Sequence, residues 1–207
     1  MLSYILAVIV LTAIPGPGLL TIFGIGSAFG YRAGISFTAG VYLGANITAI
    51  IVFSGFSSLL MEFPALRNAL LFLSLLYFAY FAAQIGFANS ELGIMSKSVP
   101  GCRSGTILML INPKAYMTMS ALYLGFPIHS FHPGNEAIIK IIIANIIWIP
   151  GHLLWLYAGV KVNAFNISLR TKRVINKTLA ITILTIVFGS ALFSMLDSTA
   201  THLTQSD

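Results

Sequence analysis

Apolar positions along this chain run in long unbroken blocks, without the alternating or one-faced patterns of water-soluble elements. Residues Leu2–Ser27 contain no acidic or basic side chain, and neither do Gly34–Leu60. Each block exceeds the roughly 20 residues that carry a helix across a bilayer. Four further blocks follow, at about Leu66–Ala88, Ser104–Leu124, Ala137–Val160 and Ile175–Leu196, and a polar tail, Asp197–Asp207, ends the chain. The pattern predicts an all-α polytopic membrane protein with about six transmembrane helices. The connections are too short for a soluble domain, so 1–196 is expected to be a single transmembrane domain with any site among its helices. Leu2–Ser27 reads as a retained helix and not as a signal peptide, because no basic stretch precedes it and prolines and glycines occupy its middle. A five-span alternative would drop Leu66–Ala88, which carries Arg67 and Gln84 near its ends.

Composition sharpens this. Charged residues make up 8% and hydrophobic residues 57% of the 207 residues, whereas a soluble domain averages about 25% charge. That excludes a water-soluble enzyme, a nucleic-acid-binding domain and a disulfide scaffold. The net charge of +6 is therefore read by position. Arg32, Lys97, Arg103, Lys161, Arg170, Lys172, Arg173 and Lys177 follow odd-numbered spans, while the opposite side holds Arg67 and Lys140. The positive-inside rule then puts both termini outside and the odd-numbered connections in the cytoplasm.

Two spans are interrupted. The first contains Ile14-Pro15-Gly16-Pro17-Gly18 near its midpoint. Proline removes a backbone N–H and clashes with the carbonyl four residues earlier, so Pro15 and Pro17 free the carbonyls of Leu11 and Ala13. The fourth contains Asn112-Pro113-Lys114, where Pro113 frees the carbonyl of Met109. In hydrocarbon such groups are tolerated only when buried in protein or lining a cavity. Lys114 is the charged residue nearest the middle of a span, and a central lysine costs about 2.5–3.5 kcal/mol on insertion scales, which turns it toward a polar interior. The breaks lie 96 residues apart in matching spans. Two three-helix units in one chain are inverted copies, and paired broken helices point to a transporter's central site. A half-helix beginning near Gly18 presents unpaired N–H groups, and with Lys114 it suits an anionic group such as a carboxylate.

Other polar residues carry weaker readings. Asn46 and Asn145 lie inside spans two and five and suit either substrate contact or an interhelical hydrogen bond. Gly40-x-x-x-Gly44 reads as a close helix contact, within the chain or in a homodimer. The carboxylates Glu62, Glu91, Glu136, Asp197 and Asp207 all fall outside the expected spans. That leaves His152, after Pro150-Gly151 in span five, as the candidate for a coupling proton, since an ordinary imidazole titrates near 6.5. A neutral, hydrogen-bonded histidine is its structural alternative. His129 and His132 share one connection without further metal ligands, and Cys102 is the lone cysteine, so neither a metal site nor a dithiol redox site is expected. No cofactor is expected either.

The interrupted segments resemble the lysine exporter (LysE/RhtB) family, whose first helix carries Pro-Gly-Pro and whose fourth carries Asn-Pro-Lys. Here they read Pro15-Gly16-Pro17 and Asn112-Pro113-Lys114, with Gly30-Tyr31-Arg32-Ala33-Gly34 and Gly40-x-x-x-Gly44 between them. The chain departs from many relatives in having Gly18 where they have Asn, and Ala45 where an acidic residue follows the second-helix glycine. The resemblance implies a secondary carrier of the bacterial cytoplasmic membrane that exports a small amino acid or derivative, driven by proton exchange. The expected substrate-binding residues are Pro15, Gly16, Pro17, Gly18, Asn46, Asn112, Pro113 and Lys114. A channel or non-transporting subunit is the runner-up reading. An intramembrane enzyme lacks a catalytic set.

Overall fold

Proline and glycine decide where these helices stop, turn and touch. A computed structural model describes residues 1–13, 16–55, 62–87, 99–126, 133–165 and 168–204. Pro15, Glu91, Lys97, His129, His132 and Asp207 lie outside the described residues. Those described form seven α-helices: α1 (Leu2–Ala13), α2 (Pro17–Phe53), α3 (Pro64–Phe87), α4 (Cys102–Ile111), α5 (Pro113–Leu124), α6 (Pro133–Ala164) and α7 (Leu169–Thr204).

The first expected span is thus two pieces, α1 and the start of α2, and the fourth is two pieces, α4 and α5. Pro17 and Pro113 stand at the first turns of α2 and α5, where a missing N–H costs nothing and the fixed φ suits a helix start. The first and second expected spans are joined without a loop. Within α2, Gly30 adopts φ 81° and ψ −173°, a region in practice open only to glycine. Eight residues of straight helix would separate Gly26 from Gly34 by about 12 Å. Instead, a Cβ placed on Gly34 would lie 3.5 Å from the Cα of Gly26. The helix therefore doubles back at one residue, giving two limbs, 17–29 and 31–53.

Helix α6 starts at Pro133, four residues ahead of the expected fifth span, and carries Glu136 in its first turn. Helix α7 runs on into the expected polar tail as far as Thr204.

Three described helices are long and apolar enough to cross a bilayer: Pro17–Phe53, Asn68–Phe87 and Gly134–Val162. The half-helices α1 and α4, 12 and 10 residues long, reach about 15–18 Å, half of a hydrocarbon core of about 30 Å. Large apolar side chains point outward along several helices, among them Ile146 at 66% and Leu154 at 68% exposure on α6. Such a surface is stable against lipid tails and unstable against water.

Inside, two apolar clusters form. One gathers Ile22, Ile25, Phe37, Phe81, Ile85, Leu156 and Ile183 between α2, α3, α6 and α7. The other gathers Tyr4, Val8, Ala45, Val52, Tyr116, Met119 and Tyr123 between α1, α2, α5 and α6. Since lipid is as apolar as leucine, helices associate here through close packing and polar contacts. The second limb of α2 supplies the closest packing. A Cβ on Gly40 would collide with the carbonyl of Cys102, one on Gly44 would meet Met109 Cβ at 2.6 Å, and one on Gly105 would collide with the carbonyl of Phe37. Thr106 Oγ1 donates to the Gly40 carbonyl at 3.1 Å across the same seam.

This seam gives a stability prediction. Gly40→Ala forces backbone apart from backbone and is expected to destabilise the protein by about 1–3 kcal/mol, the usual range for overpacking. Gly189→Ala, which meets no atom within 4 Å, is expected to leave stability unchanged. Thermal unfolding of the two variants in detergent, followed by retention of the monodisperse species, checks the difference.

Candidate functional site

The two broken helices end on one cavity. Its volume is about 310 Å³, at the lower end of the range of about 300–1,000 Å³ usual for small-molecule pockets. From the first break it is lined by Leu11 and Thr12 of α1, then Gly16, Pro17, Gly18 and Leu19. From the second break come Met109 of α4, Asn112, and Lys114, Ala115, Thr118 and Met119 of α5. The second limb of α2 adds Val41, Tyr42 and Ala45, and α6 adds Trp148 and His152.

Polarity is concentrated where the helices break. Gly16 caps α2 from an extended conformation (φ −90°, ψ 173°) without any side-chain hydrogen bond, and Leu20 N–H is the first amide to reach back to Gly16 O, at 3.1 Å. Pro17 has no N–H, so those of Gly18 and Leu19 remain at the positive end of the helix. At the second break Asn112 is the cap: its Oδ1 accepts from Lys114 N–H at 3.1 Å. The Lys114 side chain is exposed, and its ammonium forms no ion pair among the described residues. Beside these cationic groups stand two helix C-terminal ends, those of α1 and α4, whose last carbonyls carry partial negative charge. The remaining wall is apolar: Leu11, Leu19, Val41, Met109 and Met119.

His152 lines the cavity and spends Nδ1 on the Trp148 carbonyl at 2.8 Å, one turn back in α6. Its ring leans on Tyr42 with centroids 5.6 Å apart. Tyr42 in turn donates its hydroxyl toward the carbonyls of Trp148 (3.0 Å) and Ile149 (3.1 Å), fixing the second limb of α2 to α6. Pro150 weakens the ladder of α6 at this level by withholding a donor from Ile146 O.

Of the residues singled out from sequence, Gly16, Pro17, Gly18, Asn112, Lys114 and His152 line the cavity. Pro113 is buried behind it as the first residue of α5. Asn46 is not among the lining residues. Its amide and that of Asn145 pair reciprocally, Asn46 Nδ2 to Asn145 Oδ1 at 3.2 Å and Asn145 Nδ2 to Asn46 Oδ1 at 2.8 Å. Each amide also donates to the carbonyl one turn back in its own helix, Tyr42 at 2.8 Å and Ile141 at 2.9 Å. Sequence reasoning overlooked Thr12, Tyr42, Thr118 and the two methionines. The signal available for Tyr42 was its position one turn before Asn46, on the same helical face.

Lys140, an outer charge by the positive-inside count, is 1% exposed. It pairs with Glu136 one turn earlier, and Nζ donates to the Tyr123 carbonyl at 2.6 Å.

The LysE type translocator family matches this sequence over residues 9–195. The chain belongs to the LysE family of translocators. Members of this family are transporters and not enzymes. Curated relatives of this LysE-family chain include the leucine efflux protein of Klebsiella pneumoniae subsp. pneumoniae, 26% identical over 132 residues, 60% of this chain and 62% of the relative. The leucine efflux proteins of Salmonella typhimurium (25% over 132 residues, 61% of the relative) and Enterobacter sp. strain 638 (22% over 130 residues, 62% of the relative) are similar too. The chain thus spans about three-fifths of the length of the curated relatives it matches. No solved structure matches it.

The Asn46–Asn145 pair gives a test within this site. Removing one amide leaves the other without its interhelical partner. A double-mutant cycle of Asn46→Ala and Asn145→Ala is expected to return a coupling of about 0.6–1.7 kcal/mol, the span measured for polar contacts between membrane helices.

Proposed function

We propose that this LysE-family protein exports an apolar amino acid of the leucine class from the bacterial cytoplasm, by alternating access and in exchange for protons. The observation that carries this reading is the convergence of both helix breaks and Lys114 on one largely apolar cavity. A zwitterion needs positive charge for its carboxylate and negative charge for its ammonium. The N-terminal ends of α2 and α5, with Lys114, supply the first. The carbonyls of Leu11 and Met109, released by Pro15 and Pro113, supply the second. The aliphatic side chain lies against Leu19, Val41 and Met119. The leucine efflux relatives support the same class of cargo.

In this reading the chain crosses the membrane six times, with α1 and the first limb of α2 as the first crossing and α4 with α5 as the fourth. Both termini lie outside, and the two halves are inverted three-helix repeats. The Asn46–Asn145 pair supports that relation, because the two residues make the same set of hydrogen bonds, each to the other and to the carbonyl one turn back in its own helix. A reciprocal contact of this kind is what a two-fold axis between two helices generates. Rocking of one half against the other about this axis would expose the cavity to each side in turn.

The test is efflux from cells loaded with leucine-containing dipeptides, together with counterflow in proteoliposomes. Saturable counterflow of leucine is expected of a carrier; a linear, non-exchanging flux would replace it with the channel reading. Lys114→Ala, which removes the charge facing the carboxylate, is expected to lower export about ten- to a hundredfold at unchanged membrane insertion, the worth of one charged hydrogen bond. Export at the parental rate by this variant removes Lys114 from the site.

A further inference from the structure

Lys140 is the outlier of this structure: a lysine in an apolar helix, almost fully buried, outside the cavity. Four residues from three helices meet there. Glu136 and Lys140 form an ion pair along α6. Lys140 Nζ donates to Tyr123 O near the end of α5 at 2.6 Å and sits 5.6 Å from the ring centroid of Tyr4 in α1. Tyr4, itself fully buried, returns a hydrogen bond from its hydroxyl to the Lys140 carbonyl at 2.8 Å. The Tyr4 and Tyr123 rings lie 6.1 Å apart.

The position of the cluster gives it meaning. Helices α1 and α5 are the half-helices whose other ends border the cavity, at Leu11–Thr12 and at Asn112–Ala115, and α6 reaches the cavity at Trp148. Lys140 precedes Trp148 by eight residues, about 12 Å of helix. The cluster therefore ties together the far ends of three cavity walls, on the side where the chain begins. The glycine seam between α2 and α4 holds its helices by backbone contact at Gly40, Gly44 and Gly105.

We infer that Glu136, Lys140, Tyr4 and Tyr123 form a gate between the cavity and the face of the membrane where the chain begins, held shut by the ion pair and released when Glu136 takes up a proton. The inference rests on the export reading, since a gate needs a solute to pass it. A permanent brace would be at least as stable with apolar residues in these places, because desolvating two charges offsets their attraction. An ion pair differs in being releasable. Glu136 lies in the first turn of α6 and retains 18% exposure, which leaves its carboxylate open to a proton. Its carboxylate then becomes a neutral carboxylic acid, and the cluster passes from zero to one net positive charge. A buried ammonium without a counter-charge is strongly unfavourable. Moving it to water relieves this and gives up the Tyr123 carbonyl and the place over the Tyr4 ring, loosening α5 from α6, while the Tyr4 hydroxyl keeps its bond to the Lys140 carbonyl. Among the described residues, the titratable groups that meet Lys140 from the helices packed against it are Tyr4 of α1 and Tyr123 of α5, and α2 contributes the apolar Phe53, packed on Tyr123 at 4.9 Å.

The gate is tested by the reach of a membrane-impermeant thiol reagent to Thr118→Cys, in the cavity, with Cys102→Ser removing the native thiol. The reagent is applied at the face where the N-terminus emerges, and rates are normalised to an exposed control cysteine at the same pH. Labelling is expected to rise several-fold in the Glu136→Gln and Lys140→Met variants at neutral pH. In the parent it is expected to rise several-fold between about pH 7 and about pH 5, the direction in which carboxylates take up protons, and in Glu136→Gln to be high and flat. Parental labelling in both inserted variants, or a parent that does not respond to acid, overturns the gate. If the single variants fail to insert, the acid response of the parent and of His152→Gln decides: a response that persists in His152→Gln supports the gate, and its loss there overturns it. An acid response that survives Glu136→Gln and disappears in His152→Gln gives the proton to the cavity histidine and also overturns it. Leucine export is measured separately: its absence with a normal gate response defeats the export reading and leaves the labelling result standing.

Discussion

Hydrocarbon offers no hydrogen-bond partner to a backbone amide or carbonyl, and each one left open there costs several kcal/mol. This constraint organises the molecule. A soluble protein can break a helix almost anywhere and let water close the gap. Here a break is affordable only where other chain segments or a polar cavity receive the freed groups. Gly16-Pro17 and Asn112-Pro113 meet that condition together, because the groups they release border a shared volume. Each break exposes a helix beginning and a helix end side by side, so positive and negative partial charges are generated in pairs by the backbone itself. With Lys114 added, the cavity acquires its polarity without a single carboxylate among its lining residues.

The same constraint explains how the helices are held together. Water-driven association is missing, so contacts must come from shape and from satisfied polar groups. Glycine takes the first role along α2, where Gly40 and Gly44 admit the backbone of α4. Reciprocal amides take the second at Asn46 and Asn145, each filling its capacity with its partner and with its own helix. Tyr42 joins the two roles, its hydroxyl on the carbonyls of α6 and its ring against His152. These are short-range, directional contacts. They fix registers while leaving large apolar faces free to slide against lipid.

Much of this was legible in the sequence because hydropathy and proline carry physics that survives without tertiary information. Long blocks without charge cannot be anything but buried or lipid-facing, and a proline in such a block must free a carbonyl. That logic led to the two breaks and to Lys114. It failed where the answer depends on which helix stands opposite. Asn46 has the composition of a binding residue, but its orientation toward Asn145 takes it out of the cavity lining. Gly30 looked like part of a connecting loop, and only its positive φ reveals that one residue makes the turn. Lys140 read as a charge on the outer side of the membrane; nothing in its local pattern announces the tyrosines of α1 and α5 that bury it.

The two lysines near the broken helices show how one residue type takes opposite parts. Lys114 follows a proline at a helix beginning, where its charge adds to that of the dipole and repels every other cation. It is exposed to the cavity and, among the described residues, forms no ion pair, which is the condition of a group that acts on something not built into the chain. Lys140 lies in the second turn of α6 against the last turn of α5, where it pairs with Glu136 and donates to the Tyr123 carbonyl, a favourable place for a cation. Its needs are met internally, and any change in Glu136 therefore unsettles the surrounding helices before it reaches a solute. In the proposed carrier, the first charge takes its partner from the cargo and the second from the protein in one of its states. The half-helices α1 and α5 connect the two, since each begins or ends at the cavity and reaches the Lys140 cluster at its other end.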